Sequence, residues 1–202
     1  TLNTVTAAAQ CGGEVHVLVA GHNAAAELLG RGARWLASTD ADSEVPPEWL
    51  VAQLEGRRDV FCGLVDIATN CSAEERLRKA FRRRQQWGDD HGRIHGANLG
   101  VSAQAYRAAG GFSPLHCGED VQLVRTLQRL GADVRWAGAP LVMTSARLAG
   151  RATGGFSAYL AEMGGLGAAP ASGLRRNSIQ FAITSHTSKA STTISATDSR
   201  RP

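Results

Sequence analysis

The chain has little of what most often announces a function. Its 202 residues hold four cysteines, Cys11, Cys62, Cys71 and Cys117, with no C-x-x-C pair and no zinc-ligand spacing to a histidine. That pattern excludes a recognisable zinc module and suits reduced thiols in a cytoplasmic protein. No apolar run approaches the roughly 18 residues needed to span a bilayer, and no signal peptide is visible. There is no internal repeat. The lysines are Lys79 and Lys189, and acidic residues nearly vanish from Ser172 onward.

What is present is a globular composition, 43% hydrophobic and 20% charged, on a chain long enough for one domain with a proper core. The formal charge of +4 is modest but unevenly placed. Arg76, Arg78, Lys79, Arg82, Arg83 and Arg84 form one dense cluster. It can meet phosphates or an anionic membrane surface peripherally, or form a solvated helix face balanced by Glu74 and Glu75. Beyond Phe81 and Trp87 no aromatics interleave with it, which argues against nucleic acid.

Patterning predicts alternating strands and helices. Glu14–Ala20 and Arg34–Thr39 read as strands around a helix from His22 to Ala33. Pro46-Pro47 opens a helix through Trp49, Leu50 and Leu54, since proline suits a first helical turn. Asp59–Ile67 is β-rich, Ala73–Trp87 a long basic helix, and Gly88–His95 a polar loop. A glycine-bounded turn, Gly96–Ser102, leads into a helix over Ala103–Ala109. Glu119-Asp120 opens a strong helix striped by Leu123, Leu127 and Leu130. Val134–Trp136 and Leu141–Met143 read as short strands, and Phe156–Met163 as a last helix. Such alternation argues an α/β sheet covered on both faces. The Ser/Thr-rich stretch over 168–202 reads as a disordered tail, in which the alternating Ile179, Phe181 and Ile183 can make one strand.

The chemistry begins with Asp40-Ala41-Asp42, directly after the predicted strand. Carboxylates at i and i+2 on an extended segment share a face. They would be hard oxygen ligands for a divalent ion at a strand end, where α/β sheets bind ligands. The tripeptide is short enough to arise by chance, and Asp favours turns after strands. Glu119 and Asp120 have a bland reading too, because acids at a helix N-terminus are favoured by the dipole. Asn98 sits in a loop where backbone can approach a ligand, or it merely stabilises its own turn. Arg147 and Arg151 carry guanidinium forks suited to phosphate oxygens.

In order and spacing, these pieces resemble the family 2 glycosyltransferases. The matching elements are Thr39-Asp40-Ala41-Asp42 with Pro46, Trp49 and Leu50, then Gly96-Ala97-Asn98 with Tyr106 and Gly110-Gly111-Phe112. Glu119-Asp120-Val121 with Leu123 and Gly131 follow, and then the strand before Thr144-Ser145-Ala146-Arg147. The resemblance implies a GT-A-type (Rossmann-like) mixed sheet flanked by helices. It also implies metal-dependent sugar transfer from a nucleotide-diphosphate donor, UDP- or GDP-linked, to an acceptor hydroxyl, with inversion. By that resemblance Asp40 and Asp42 hold Mg²⁺ or Mn²⁺ against the diphosphate. Asp120 is the base, Glu119 shapes the site, and Gly96 and Asn98 line the donor and acceptor side of the cleft.

The sequence departs from the pattern at two places. Thr144-Ser145 stands where many relatives carry a histidine metal ligand, while His91, His95 and His116 read as loop or core histidines. No opening strand–helix–strand with an acidic pair precedes Asp40, so the expectation is a partial, N-terminally truncated GT-A domain over 1–167. A catalytically inactive remnant that binds a nucleotide or partner weakly is the competing reading. A phosphohydrolase with Asp40 as nucleophile needs a supporting lysine, and neither Lys79 nor Lys189 has a convincing context.

Overall fold

The computed structural model describes residues 14–18, 24–30, 32–115, 117–148, 155–164 and 178–184. It is a mixed α/β structure. The strands are β1 (Glu14–Leu18), β2 (Trp35–Asp40), β3 (Ser43–Glu44), β4 (Val60–Ala68), β5 (Leu99–Ser102), β6 (Val134–Ser145) and β7 (Ser178–Thr184). The helices are α1 (Ala24–Gly30), α2 (Trp49–Leu54), α3 (Ser72–Arg83), α4 (Ala103–Ala108), α5 (Glu119–Arg129) and α6 (Phe156–Met163). One sheet runs in the order β1-β7-β2-β5-β4-β6-β3. β4 and β6 pair in parallel and every other neighbouring pair is antiparallel, so β2, β4 and β6 point the same way.

Strand periodicity sorts the side chains into two layers. From β2 and β4, Trp35, Ala37, Phe61, Val65 and Ile67 face a core shared with Trp49 and Leu50 of α2, Phe81 of α3 and Leu160 of α6. On the opposite face Val60, Cys62, Leu99 and Val101 meet Ala105 of α4 and Leu123, Val124 and Leu127 of α5. Leu36 joins Ala25 and Leu28 of α1 on that second side. Burial of Cys62 among these apolar groups pushes its thiol well above the usual range, with nearby Asp120 adding to the effect,.

Three expectations change in the folded chain. Val134–Trp136 and Leu141–Met143 are parts of one strand, β6, not two. β6 stays continuous because β4 pairs with it on both sides of an irregularity: Gly63 opposes Ala137, and Val65 next opposes Val142. Residues 178–184, expected within a disordered tail, form β7 and pair with β1 and β2, whose backbone groups it satisfies on both sides,. The basic helix is not simply a solvated face. Arg78 donates through Nε and Nη2 to Asp66 Oδ2 (3.0 and 2.6 Å), and Arg82 Nε lies 3.3 Å from the same oxygen. Asp66 is fully buried on β4, and it draws the half-buried Arg78 and the still exposed Arg82 down onto one carboxylate. Arg76, Lys79, Arg83 and Arg84 remain exposed. The readings for residues 1–13 and for the remainder of 168–202 lie outside the described residues.

Candidate functional site

β2 ends at Asp40, and Ala41-Asp42 form a turn that carries the chain straight into β3. The expected strand-type alternation therefore stops at Asp40, and Asp42 is presented by the turn and not by an extended segment. Ser43 pairs with Thr144 of β6, and its Oγ donates to Thr144 Oγ1 at 3.0 Å. Just beyond β6, Arg147 Nη2 donates to Asp42 Oδ2 at 2.7 Å. The Asp40–Asp42 turn and the Arg147 segment are thus fastened to each other by strand pairing and by an ion pair.

The register sets the turn that holds the second acidic segment beside the end of β2. Ser38 of β2 opposes Leu99, the first residue of β5. The 3-10 turn Gly96–Asn98 that precedes β5 therefore borders the end of β2 that delivers Asp40. Gly96 N donates to Asp120 Oδ2 at 2.7 Å, and Val121 N to Asp120 Oδ1 at 2.8 Å. Gly118, in the left-handed region at φ +78, caps α5 and turns the chain so that Glu119-Asp120 enters facing this loop,. Gly96 leaves little room for a side chain, since a Cβ there would come within 3.2 Å of Asp120 Oδ2. Asp120 is 7% exposed. Each of its oxygens accepts one described hydrogen bond and keeps a further lone pair.

Asn98 has a different place from the one expected by resemblance. It is 0% exposed. Its Oδ1 accepts from Trp49 Nε1 (2.8 Å), and its Nδ2 donates to Leu64 O (2.8 Å) and Pro140 O (3.0 Å). Leu64 and Pro140 lie in the stretch where β4 and β6 lose register, so the amide satisfies carbonyls that the ladder leaves over,. Its side chain faces this crease and not a cleft, and its bonds reach far beyond its own turn.

The loop before Gly96 carries two histidines. His91 Nδ1 accepts from Arg93 N (2.8 Å), so the ring nitrogen with a proton is Nε2, which donates to Cys62 O (3.2 Å),. Burial lowers its pKa. His95 is pushed down to about 4, first by burial and then by the charges of His91 and Arg93. Its buried Nε2 has no hydrogen-bond partner among the described residues. Sequence reading set His95 aside as a loop or core residue. Its position immediately before the Gly96 turn was the available signal.

Asp40 and Asp42 supply hard carboxylate oxygens, the donor type that Mg²⁺ or Mn²⁺ takes. No group of three His, Cys, Asp or Glu side chains able to hold a metal occurs among the described residues. Ions of the Mg²⁺ type are held by as few as one or two carboxylates, with water and substrate phosphates completing the shell, so two carboxylates on this turn are enough in donor type and number. Arg147 is half-exposed beside Asp42. Arg151 and His116 lie outside the described residues. No helix among the described residues is long and apolar enough to cross a membrane. Comparison with protein-family models, with curated proteins and with solved structures found no match.

Proposed function

We propose that this chain is a GT-A-type domain of the family 2 glycosyltransferase kind. It would transfer a sugar from a nucleotide-diphosphate donor to an acceptor hydroxyl with inversion. The observation that carries the reading is one of convergence. Asp40 and Asp42 lie at the end of β2, where Asp42 is paired with Arg147 from beyond β6, and Asp120 at the start of α5 is bonded to the Gly96 turn that borders the same end of β2. The carboxyl end of a strand such as β2 is where ligands bind in open α/β sheets.

In this reading Asp120 accepts the proton of the acceptor hydroxyl as that oxygen attacks the anomeric carbon and the bond to the diphosphate breaks. Gly96 N holds the carboxylate in position. Glu119 shapes the same helix entrance. Asp40 and Asp42 would hold Mg²⁺ or Mn²⁺, which when bound supplies positive charge to the departing diphosphate. Arg147 offers a planar fork to the phosphate oxygens.

A second reading, a catalytically inactive nucleotide-binding remnant, is favoured by one observation: Asp42 already holds a guanidinium. Calorimetric titration with UDP, GDP and their common sugars, with Mn²⁺ and then with EDTA, separates the two. The first reading expects metal-dependent binding of one nucleotide, lost in Asp42→Asn, together with turnover of the matching sugar donor that Asp120→Asn abolishes. Binding without turnover supports the remnant. Absence of any nucleotide binding by the folded chain removes the first reading and leaves the remnant as a partner-binding module.

A further inference from the structure

The two partners of the Asp42–Arg147 pair are not simply long side chains that meet in water. Asp42 is followed at once by Ser43, which is in register with Thr144 and hydrogen-bonded to it. Arg147 is anchored on the other side, its N donating to Ser145 Oγ at 3.2 Å. Strand pairing therefore sets the carboxylate and the guanidinium opposite each other without burying them. Their side chains stay 33% and 52% exposed. Asp42 thus has a resident cation, delivered by the segment just beyond β6.

A carboxylate can share its oxygens between a guanidinium and a divalent ion only against repulsion between the two cations, which grows steeply at contact distance. A guanidinium fork is equally suited to a carboxylate and to a diphosphate. From this geometry we infer that Arg147 is a latch on Asp42. It neutralises Asp42 while no ligand is present, and it gives up the carboxylate and turns to diphosphate oxygens when the donor arrives with its ion. Arg147 is here a positioning residue that makes ion and donor bind together. The inference rests on the reading of Asp40 and Asp42 as an ion–diphosphate site.

A latch has a signature that a merely structural ion pair lacks, because removing it acts with opposite sign on two ligands. Mn²⁺ alone no longer has to displace a cation, so Arg147→Gln binds it more tightly, by about threefold for a pair this exposed. UDP or GDP with saturating Mn²⁺ loses its guanidinium contact, so the same variant binds the better of the two about tenfold more weakly. Arg147→Lys keeps the charge without the fork, and it should match the natural chain for Mn²⁺ while weakening the nucleotide.

The test is titration of free Mn²⁺ by electron paramagnetic resonance, and of UDP and GDP by calorimetry. The proteins are the natural chain, both Arg147 variants and Asp42→Asn, each checked for folding by circular dichroism. Opposite shifts in Arg147→Gln establish the latch. Equal or unchanged affinities for both ligands in Arg147→Gln, with binding abolished by Asp42→Asn, overturn the latch and leave the ion site standing. Absence of Mn²⁺-dependent binding in the natural chain and in Arg147→Gln alike overturns the ion site, and the latch with it.

Discussion

The side-chain amide of Asn98 stands where a Cβ on Gly63 would have to lie. The two residues meet at the point where β4 and β6 step out of register, and the amide bonds to carbonyls on both strands there. Asn98→Ala leaves Trp49 Nε1 and two buried carbonyls without this partner, and it should cost about 3 kcal/mol or more. Gly63→Ala drives a methyl into the amide and should cost about 1–3 kcal/mol. Asn98→Ala removes the clash that Gly63→Ala creates, so the double variant should be less destabilised than the sum by about 1 kcal/mol,. Urea unfolding of the four proteins measures this, and strict additivity would separate the two residues.

Asp120 is both a candidate base and an acceptor for Gly96 N. Asparagine can keep an acceptor oxygen toward Gly96 N, loses the one toward Val121 N, and cannot take a proton,. Asp120→Asn should therefore lower sugar transfer by about 10²–10⁴-fold, the range for loss of a positioned base. Its stability should fall by no more than about 1–3 kcal/mol, the cost of one backbone N–H left unpaired, so the chain stays folded,. Comparable loss of stability and turnover would make the residue structural only.

Asp66 holds Arg78 and Arg82 against β4 from a fully buried position. Removing the carboxylate deprives Ile67 N and the half-buried Arg78 of their acceptor and opens a small void, so Asp66→Ala should destabilise by about 1–3 kcal/mol,. The exposed Arg83→Ala, one position along the same helix, should change stability by less than about 0.5 kcal/mol. Chemical denaturation of both variants checks the contrast, and similar small effects would remove the buried pair as a determinant.

His95 ties stability to pH. Its pKa is lowered from 6.5 to about 4 in the folded chain, by burial first. Between those values the unfolded chain binds the proton and the folded chain does not, so stability rises with pH across that window. The His95 contribution is complete above pH 6.5, is lost as pH falls towards 4, and changes no further below that. Burial of His91 acts in the same direction. From pH 7 to 5 the natural chain should lose up to about 2 kcal/mol through His95. His95→Phe should flatten that slope, as read from urea midpoints at each pH. An unchanged slope would mean that His95 titrates normally.

Most individual elements were legible before any folding, because periodicity, proline and glycine act locally. The helix striped by Leu123 and Leu127, the basic helix, and the strand leading to Asp40 follow the patterns that predict them,. Both acidic segments were readable for the same reason. The partners were not. Nothing near Asn98 in the sequence points to Leu64 or Pro140, and nothing in the arginine cluster singles out Arg78 and Arg82 for Asp66.

The sequence by itself determined the alternation of strands and helices and the acidic character of two segments, through properties that reach only a turn or two along the chain. Tertiary structure decided that Asp42 faces Arg147, that Asp120 is held by Gly96, and that Asn98 closes a crease between two strands. The physical reason is register. Which residues stand opposite each other is set by how whole strands align and where they bulge, and each such pairing depends on hydrogen bonds between segments far apart in sequence.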